Sequence, residues 1–392
     1  MNPRHPSVPT PVLRTLADRA SDYGLSRRTF LGLLGAAGGA AALGGCGATS
    51  EALRWGTYPY YLDQSDDGRS YPTLKEFTAE TGIAADLLED IEDLNSFYGK
   101  VKGRWAQNQD IGYDMVVFSD WLVARCVRLE YLQPLDHAAM PNTENLLPQF
   151  STDAFQAFDP GHRYSMPWQG GMPVLAWNRK ELPQGLRSVS DLWAPELKGK
   201  VEVVAELRET LGPLMWSLGT DPSGSWGDDE FGNAVDLLAK QVSDGQIRDV
   251  RGSSYTEDLA NGDAIAVIGY SGDIPQLNVA EDRFDWAFPE DGGTIWVDNL
   301  VVPTTSDRLE EAQKLTDYYY DPVVAAAVAA YVQYVSPVDG VREEIAKIDP
   351  TLVDNQLIFP SEETMAKTVV FRPLTPDEDE KYSAMFLEAT GR

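Results

Sequence analysis

The chain has 392 residues, with 61 Asp and Glu against 32 Lys and Arg, a formal charge of −29 at neutral pH. A field of that sign disfavours nucleic acid and anionic substrates and gathers cations. With 43% hydrophobic residues and scattered acids, the composition excludes a disordered acidic tail and describes a globular chain long enough for two packed lobes.

Residues 26–46 read as an address. Arg27 and Arg28 precede an apolar, glycine-rich stretch from Phe30 to Gly45, too short to span a hydrocarbon layer of roughly 30 Å as a permanent helix. The arginine pair followed by Thr29, Phe30 and Leu31 resembles a twin-arginine export signal. Leu43, Gly44, Gly45 and Cys46 resemble a lipobox, whose cysteine becomes the first mature residue and carries lipid. Residues 1–45 are therefore expected to be a cleaved lipoprotein signal, with the mature protein exported and held at the outer face of the cytoplasmic membrane through Cys46. Cys126 is then the one cysteine of the mature body. It has no disulfide partner within the chain, and its apolar helical setting makes it a core residue.

Beyond the leader, short β-branched runs alternate with amphipathic helical segments, the pattern of an α/β fold with largely parallel sheets flanked by helices. LRWGT (53–57) ends before Tyr58–Tyr61, YDMVVF (113–118) before Ser119–Trp121, KVEVVA (200–205) before Glu206–Glu209, and AIAVIG (264–269) before Tyr270–Asp273. Ser119 and Ser271 stand where helix N-caps fall. Ligands of open α/β sheets bind outside the carboxyl ends of the strands, which here present Tyr58, Tyr61, Ser119, Trp121, Glu206, Glu209 and Tyr270. That aromatic and acidic set suits an ammonium on an aliphatic body. Each ring face contributes on the order of 0.5–2 kcal/mol to a desolvated cation, and each carboxylate accepts a charge-assisted hydrogen bond. For Glu206 and Glu209 a second reading stands: acids in a first helical turn complement the helix dipole.

PEDGGTIWVDNLVVP (289–303) reads as a Gly-Gly turn feeding a strand on which Trp296 and Asp298, two positions apart, share a face. An acid beside a tryptophan again suits a cation, and a half-exposed strand edge is the alternative. Pro322 opens a helix through Val332 with an alanine-rich packing face, and a last helix is expected around Asp377–Leu387. The acids of Asp377–Glu380 read as solvated surface. Trp105, Trp177, Trp193 and Trp286 are assigned to core or lobe packing.

An exported enzyme would need a nucleophile and base, a metal cluster or a carboxylate dyad. His5 lies in the leader, and His137 and His162 fall in polar loops without ligand spacing. Glu206 and Glu209, three apart on one segment, are poorly placed to flank a glycosidic bond. No cofactor, metal or nucleic-acid partner is expected. Tyr58, Tyr60 and Tyr61 keep open an iron(III) or anion receptor on the same fold.

TYPYYLD (57–63), LKEFTAETGI (74–83), YDMVVFSDW (113–121), YSMPWQGGMPVLAWN (164–178), DLWAPELKGKVEVV (191–204), GDAIAVIGYSGD (262–273), DGGTIWVDNLVVP (291–303) and YVSPV (334–338) occur in the order and spacing of the polyamine-binding proteins of ABC importers. The chain resembles that spermidine/putrescine receptor family over nearly its whole mature length. The resemblance implies a two-lobed type II periplasmic binding protein, monomeric and non-catalytic. Such a carrier closes on a small cationic amine and delivers it to a membrane permease driven by a cytoplasmic ATPase. Crossings are expected near Gly170 and Gly171, Ile295 and Ser336, with lobe 1 at 52–170 plus 296–336 and lobe 2 at 171–295 plus 337–392.

Carried over position by position, the family's ligand-binding aromatics, serine and acids fall on Tyr58, Tyr61, Ser119, Trp121, Glu206, Glu209, Tyr270, Trp296, Asp298 and Tyr334. Two positions depart. Tyr60 stands where the family often has an acid, and VFRPL places Arg372 where a glutamine can reach the ligand. An arginine there repels an amine end group unless it pairs with a wall carboxylate or meets a ligand carboxylate. The resemblance thus implies a polyamine, with another amine or a zwitterion such as an amino acid or betaine as the alternative.

Overall fold

The structure, a computed structural model, describes residues 52–65 and 68–391. The expected leader, with Arg27, Arg28 and Cys46, lies outside the described residues.

Two sheets organise the chain. In the first, β1 (Leu53–Gly56) pairs in parallel with β2 (Ala85–Leu88) and β3 (Met115–Ser119). Antiparallel to β3 runs β10 (Gly293–Val301), itself flanked by antiparallel β4 (Ser165–Gly171) and, at its start, by parallel β11 (Thr368–Val370). The second sheet has β6 (Val201–Val204) parallel to β7 (Ile247–Arg251) and to β8 (Ala266–Tyr270), then β5 (Pro173–Asn178) antiparallel to β8 and to β9 (Phe284–Ala287). The four β-branched runs form β1, β3, β6 and β8, and their parallel pairing holds at the centre of each sheet. Antiparallel pairing enters through β4, β5 and β10, the strands that connect the sheets: β4 leads through Met172 directly into β5.

Each sheet buries its own core. Leu53, Trp55, Met115, Val117 and Leu300 pack together in the first lobe, and Val201, Val203, Leu211, Leu214 and Ile268 in the second. Cys126 is fully buried in the first lobe, where burial pushes its thiol up to about 12. Trp105 and Trp177 are buried, and Trp193 and Trp286 are partly buried against apolar neighbours. Among the described residues no helix is long and apolar enough to cross a membrane.

Ser119 takes the expected N-cap position of the helix Asp120–Arg128, although its hydroxyl makes no cap hydrogen bond. Two expectations are corrected. Ser271 precedes the cap residue Gly272 of the helix Asp273–Ala280, and its Oγ accepts the Met172 N–H at 3.4 Å. The chain beyond Ser336 was expected in the second lobe. Instead Val338, Val341, Ile345, Leu352 and Ile358 pack on Ala325, Ala326 and Ala329 of the helix Pro322–Val332, with Met140 and Met166 of the first lobe beneath. The alanine face is the socket for the apolar side of the helix Val341–Ile348. Second-lobe packing is reached by the terminal helix Pro376–Thr390, where Tyr382 stacks on Phe231 at 4.0 Å between ring centroids.

Candidate functional site

The centre of β10 carries the site. Asp298 lies in register between Ser119 of β3 and Gln169 of β4, beside an irregularity of pairing at Asp298 and Asn299. Bulges of this kind re-aim side chains next to functional sites. The Asp298 carboxylate is 3% exposed and accepts hydrogen bonds from the Ser119 hydroxyl at 2.5 Å and the Tyr61 hydroxyl at 3.0 Å. Both donors are neutral. Burial pushes its carboxyl up to about 7 in spite of those two bonds. Ser119 therefore spends on Asp298 the hydroxyl that the helix would otherwise have taken as its cap.

Around Asp298 the aromatic rings form a continuous chain. Tyr58 meets Tyr61 at 5.4 Å, Tyr61 meets Tyr334 at 5.5 Å, Tyr334 meets Trp296 at 5.5 Å, and Trp296 meets Tyr270 at 6.1 Å, all edge to face. Backbone glycines let the rings in: a Cβ on Gly171 would fall 2.4 Å from the Trp296 ring, and one on Gly272 2.5 Å from the Tyr334 ring. Tyr334 follows the helix Pro322–Val332 and is fixed by the Gly170 and Val335 backbone pairing beside it.

From the second lobe come Glu206, immediately before the helix Leu207–Ser217, and Glu209 in its first turn. Glu206 makes no side-chain cap for its own helix. The backbone N–H of Leu94, at the start of the first-lobe helix Leu94–Trp105, favours the charged form of Glu206 as the smallest of the influences on it. Burial and then the Glu209 charge raise the Glu206 carboxyl well above its ordinary value. Burial also raises Glu209, with Arg208 opposing and Asp120 adding to the rise. After burial, the charges of Asp298 and Glu206 act on the Tyr58 hydroxyl, and those of Glu206 and Glu209 on the Tyr270 hydroxyl, all raising them. Acids of the second lobe and rings of both lobes thus share one electrostatic enclosure.

The structure brings together Tyr58, Tyr61, Ser119, Glu206, Glu209, Tyr270, Trp296, Asp298 and Tyr334. Trp121 stands at its strand end but outside the ring chain. Its ring is buried beneath two guanidinium groups, Arg125 at 4.9 Å and Arg208 at 5.4 Å. Arg372 is not brought to the cluster, which corrects its place in the expected site. Its guanidinium pairs with Glu378 at 2.7 Å, donates to the Trp226 carbonyl and lies 3.7 Å over the Trp226 ring. Tyr60 is 38% exposed, adopts a left-handed φ of 59° and donates its N–H to Glu89 Oε1 at 2.8 Å.

Two further acids went unmarked in the sequence. Asp273 accepts the hydroxyls of Tyr255 at 2.6 Å and Tyr334 at 3.1 Å, which orients Tyr334 in the ring chain. Its signal was its place three residues past Tyr270 at a strand end. Asp120, between Ser119 and Trp121, is raised by burial and adds its charge to Glu209 and Asp298. Among the described residues no group of three or more His, Cys, Asp or Glu is arranged to hold a metal ion. Acids this close, lined by rings and hydroxyls, suit a cation that brings its own hydrogen-bond donors and an apolar body.

Residues 73–356 match the family described as bacterial extracellular solute-binding protein. The chain belongs to that family. This solute-binding protein is 26% identical over 289 residues to the spermidine/putrescine-binding periplasmic protein 1 of Haemophilus influenzae, covering 74% of this chain and 77% of the relative. It is 25% identical over 372 residues to the putrescine-binding periplasmic protein PotF of Escherichia coli, covering 91% and 95% of the two chains. Among solved structures, the spermidine/putrescine substrate-binding protein PotD of Streptococcus pneumoniae superposes with a TM-score of 0.69 at 25% identity, over 87% of this chain and 98% of the other. The Tp0655 lipoprotein of Treponema pallidum superposes with a TM-score of 0.72 at 19% identity, over 87% and 100%. The fold is that of the type II periplasmic binding proteins.

Proposed function

We propose that this solute-binding protein is the receptor of an ABC importer for a polyamine of the putrescine or spermidine type. The observation that carries the reading is Asp298: a carboxylate 3% exposed, held by two hydroxyls, with no Lys or Arg paired to it among the described residues. A buried acid in that condition is stabilised by an incoming cation. Glu206 and Glu209 stand ready for a second ammonium, and the ring chain supplies faces for the methylenes between. The names of the relatives point to the same ligand class.

The mechanism is capture in an open cleft, closure about the strands that connect the sheets, and delivery to a permease pair driven by a cytoplasmic ATPase. In the closed state the ammonium groups meet Asp298, Glu206 and Glu209 while Tyr58, Tyr61, Tyr270, Trp296 and Tyr334 exclude water. A micromolar affinity requires only about 8 kcal/mol net, within reach of a few such contacts after the costs of ordering. The leader and the lipid on Cys46 keep this monomeric receptor outside the cytoplasmic membrane. With Arg372 bound to Glu378, a zwitterionic ligand loses the cation it would have relied on.

Calorimetric titration with putrescine, spermidine, spermine, an amino-acid panel and glycine betaine, repeated at high salt, tests the reading. A micromolar fit for one polyamine that survives salt is expected, since attraction to the acidic surface alone is screened. Binding of zwitterions only would retire the polyamine assignment while leaving the fold intact.

A further inference from the structure

The terminal helix Pro376–Thr390 carries Asp377, Glu378 and Asp379 in its first turn. Acids there complement the helix dipole from the surface, yet Asp379 alone among them is buried, 6% exposed. It is aimed at the other lobe. Its Oδ2 meets Arg125 Nη2 at 2.5 Å, and its Oδ1 lies 3.7 Å from Arg208 Nη2. Arg125 belongs to the helix Asp120–Arg128 that follows β3 in the first lobe. Arg208 belongs to the second lobe and sits between Glu206 and Glu209 in the chain. Both guanidinium groups also pack on the Trp121 ring.

We propose that Asp379 is an interlobe clasp: its pairing with Arg125 holds the lobes closed and sets how long a bound solute stays. The proposal rests on the receptor reading for its ligand but not for its geometry. When the lobes part, Asp379 keeps Arg208 and loses Arg125, so the contact belongs to the closed state only, and a contact made in one state shifts the balance toward it. Arg125 remains packed on the rings of Trp121 and Tyr98, the latter at 5.4 Å, which holds the guanidinium ready for the next closure.

Arg208 links the clasp to the cleft. Its charge acts on Glu206, Glu209 and Asp120 as well as lying near Asp379. An ammonium entering between those acids takes over their charge and repels Arg208, whose remaining acidic partner is Asp379. Arg208 and Asp379 share a lobe, so this contact steadies Asp379 while the joining of the lobes falls to Arg125 alone. Asp379 touches no part of the ring chain, so its role is positioning, carried through Arg125 and Arg208.

The test uses the full chain with Asp379→Ala, Arg125→Ala and both together, and follows dissociation of spermidine and putrescine by stopped flow. Each single change is expected to speed dissociation roughly tenfold, equivalent to about 1.4 kcal/mol, with association unchanged. The double variant should release solute no faster than Asp379→Ala alone, because both changes remove the same contact. Unchanged dissociation in both single variants overturns the proposal, as do additive effects in the double, or a lowered ligand-free melting temperature without faster release. If the wild-type chain binds neither amine, the polyamine reading fails by itself. The clasp is then read from X-ray scattering of the ligand-free chains: a larger radius of gyration in Asp379→Ala supports it, and identical curves overturn it.

Discussion

Asp298→Asn should move stability and binding in opposite directions. In the ligand-free protein burial holds the Asp298 carboxyl at about 7 against an ordinary value of 3.8. The unfolded chain loses this proton near the ordinary value and the folded chain only near 7. Between about pH 4 and pH 7 the native state thus holds a proton that the unfolded state has lost. This carboxyl's contribution to stability is fully present below about pH 4, is lost as pH rises through about 7, and is constant above. At 1.36 kcal/mol for each tenfold step, the displacement sets a ceiling of about 4 kcal/mol. Asparagine removes the ionisation, and the Ser119 and Tyr61 hydroxyls can rotate to accept its amide protons. The ligand-free variant should therefore melt higher than wild type at about pH 8, by roughly 2–4 °C for each kcal/mol recovered, and the difference should vanish near pH 4. Affinity for a polyamine should fall at least about tenfold, since a desolvated charge pair with the ligand exceeds about 1.4 kcal/mol. Calorimetric titration and scanning at both pH values read the two effects. Unchanged affinity would sink the cleft assignment, and a lower melting point at pH 8 would refute the account of a strained, uncompensated carboxylate.

Binding should release protons near pH 6, because acids raised by burial must ionise to meet an ammonium; affinity should then climb from pH 6 to pH 8, and equal heats in buffers of different ionisation enthalpy would contradict this. Tyr61→Phe keeps the ring contacts with Tyr58 and Tyr334 but removes the hydroxyl that donates to Asp298. It should weaken polyamine binding by roughly tenfold, the scale of a hydrogen bond to a charged group, and an affinity equal to wild type in the same titration would argue against it. Cys46→Ala should release the protein from membranes in cell fractionation and leave ligand affinity intact; continued membrane association would show that the lipobox reading is wrong.

What the sequence disclosed and what it concealed divide along a physical line. Local period placed β1, β3, β6 and β8. The rule that ligands sit beyond strand ends then marked Tyr58, Ser119, Glu206 and Tyr270 before any contact was visible. Period two put Trp296 and Asp298 on one face, and both reach the same cluster. Choices among long-range partners were not legible. The apolar side of the helix Val341–Ile348 is evident from Val341 and Ile345, but nothing local says which lobe receives it, and the answer was the small-residue face of the helix Pro322–Val332. Arg372 sits one residue past the buried Phe371, and its fate was decided by Trp226, far away in the chain.

Asp379 is the instructive intermediate. Counted with Asp377, Glu378 and Glu380 it is one charge in a solvated run. On a helix of 3.6 residues per turn, however, it shares a face with Tyr382 and Phe386, which are 1% and 4% exposed. A charge on the apolar stripe of a helix must either meet a counter-charge or give up its ionisation. That requirement called for a guanidinium from elsewhere in the fold, and Arg125 of the opposite lobe supplies it. The same logic governs the cleft, with the opposite outcome: Asp298 is buried on a strand that joins two sheets and meets only hydroxyls. The fold thus gives one buried acid a guanidinium from within and the other only hydroxyls.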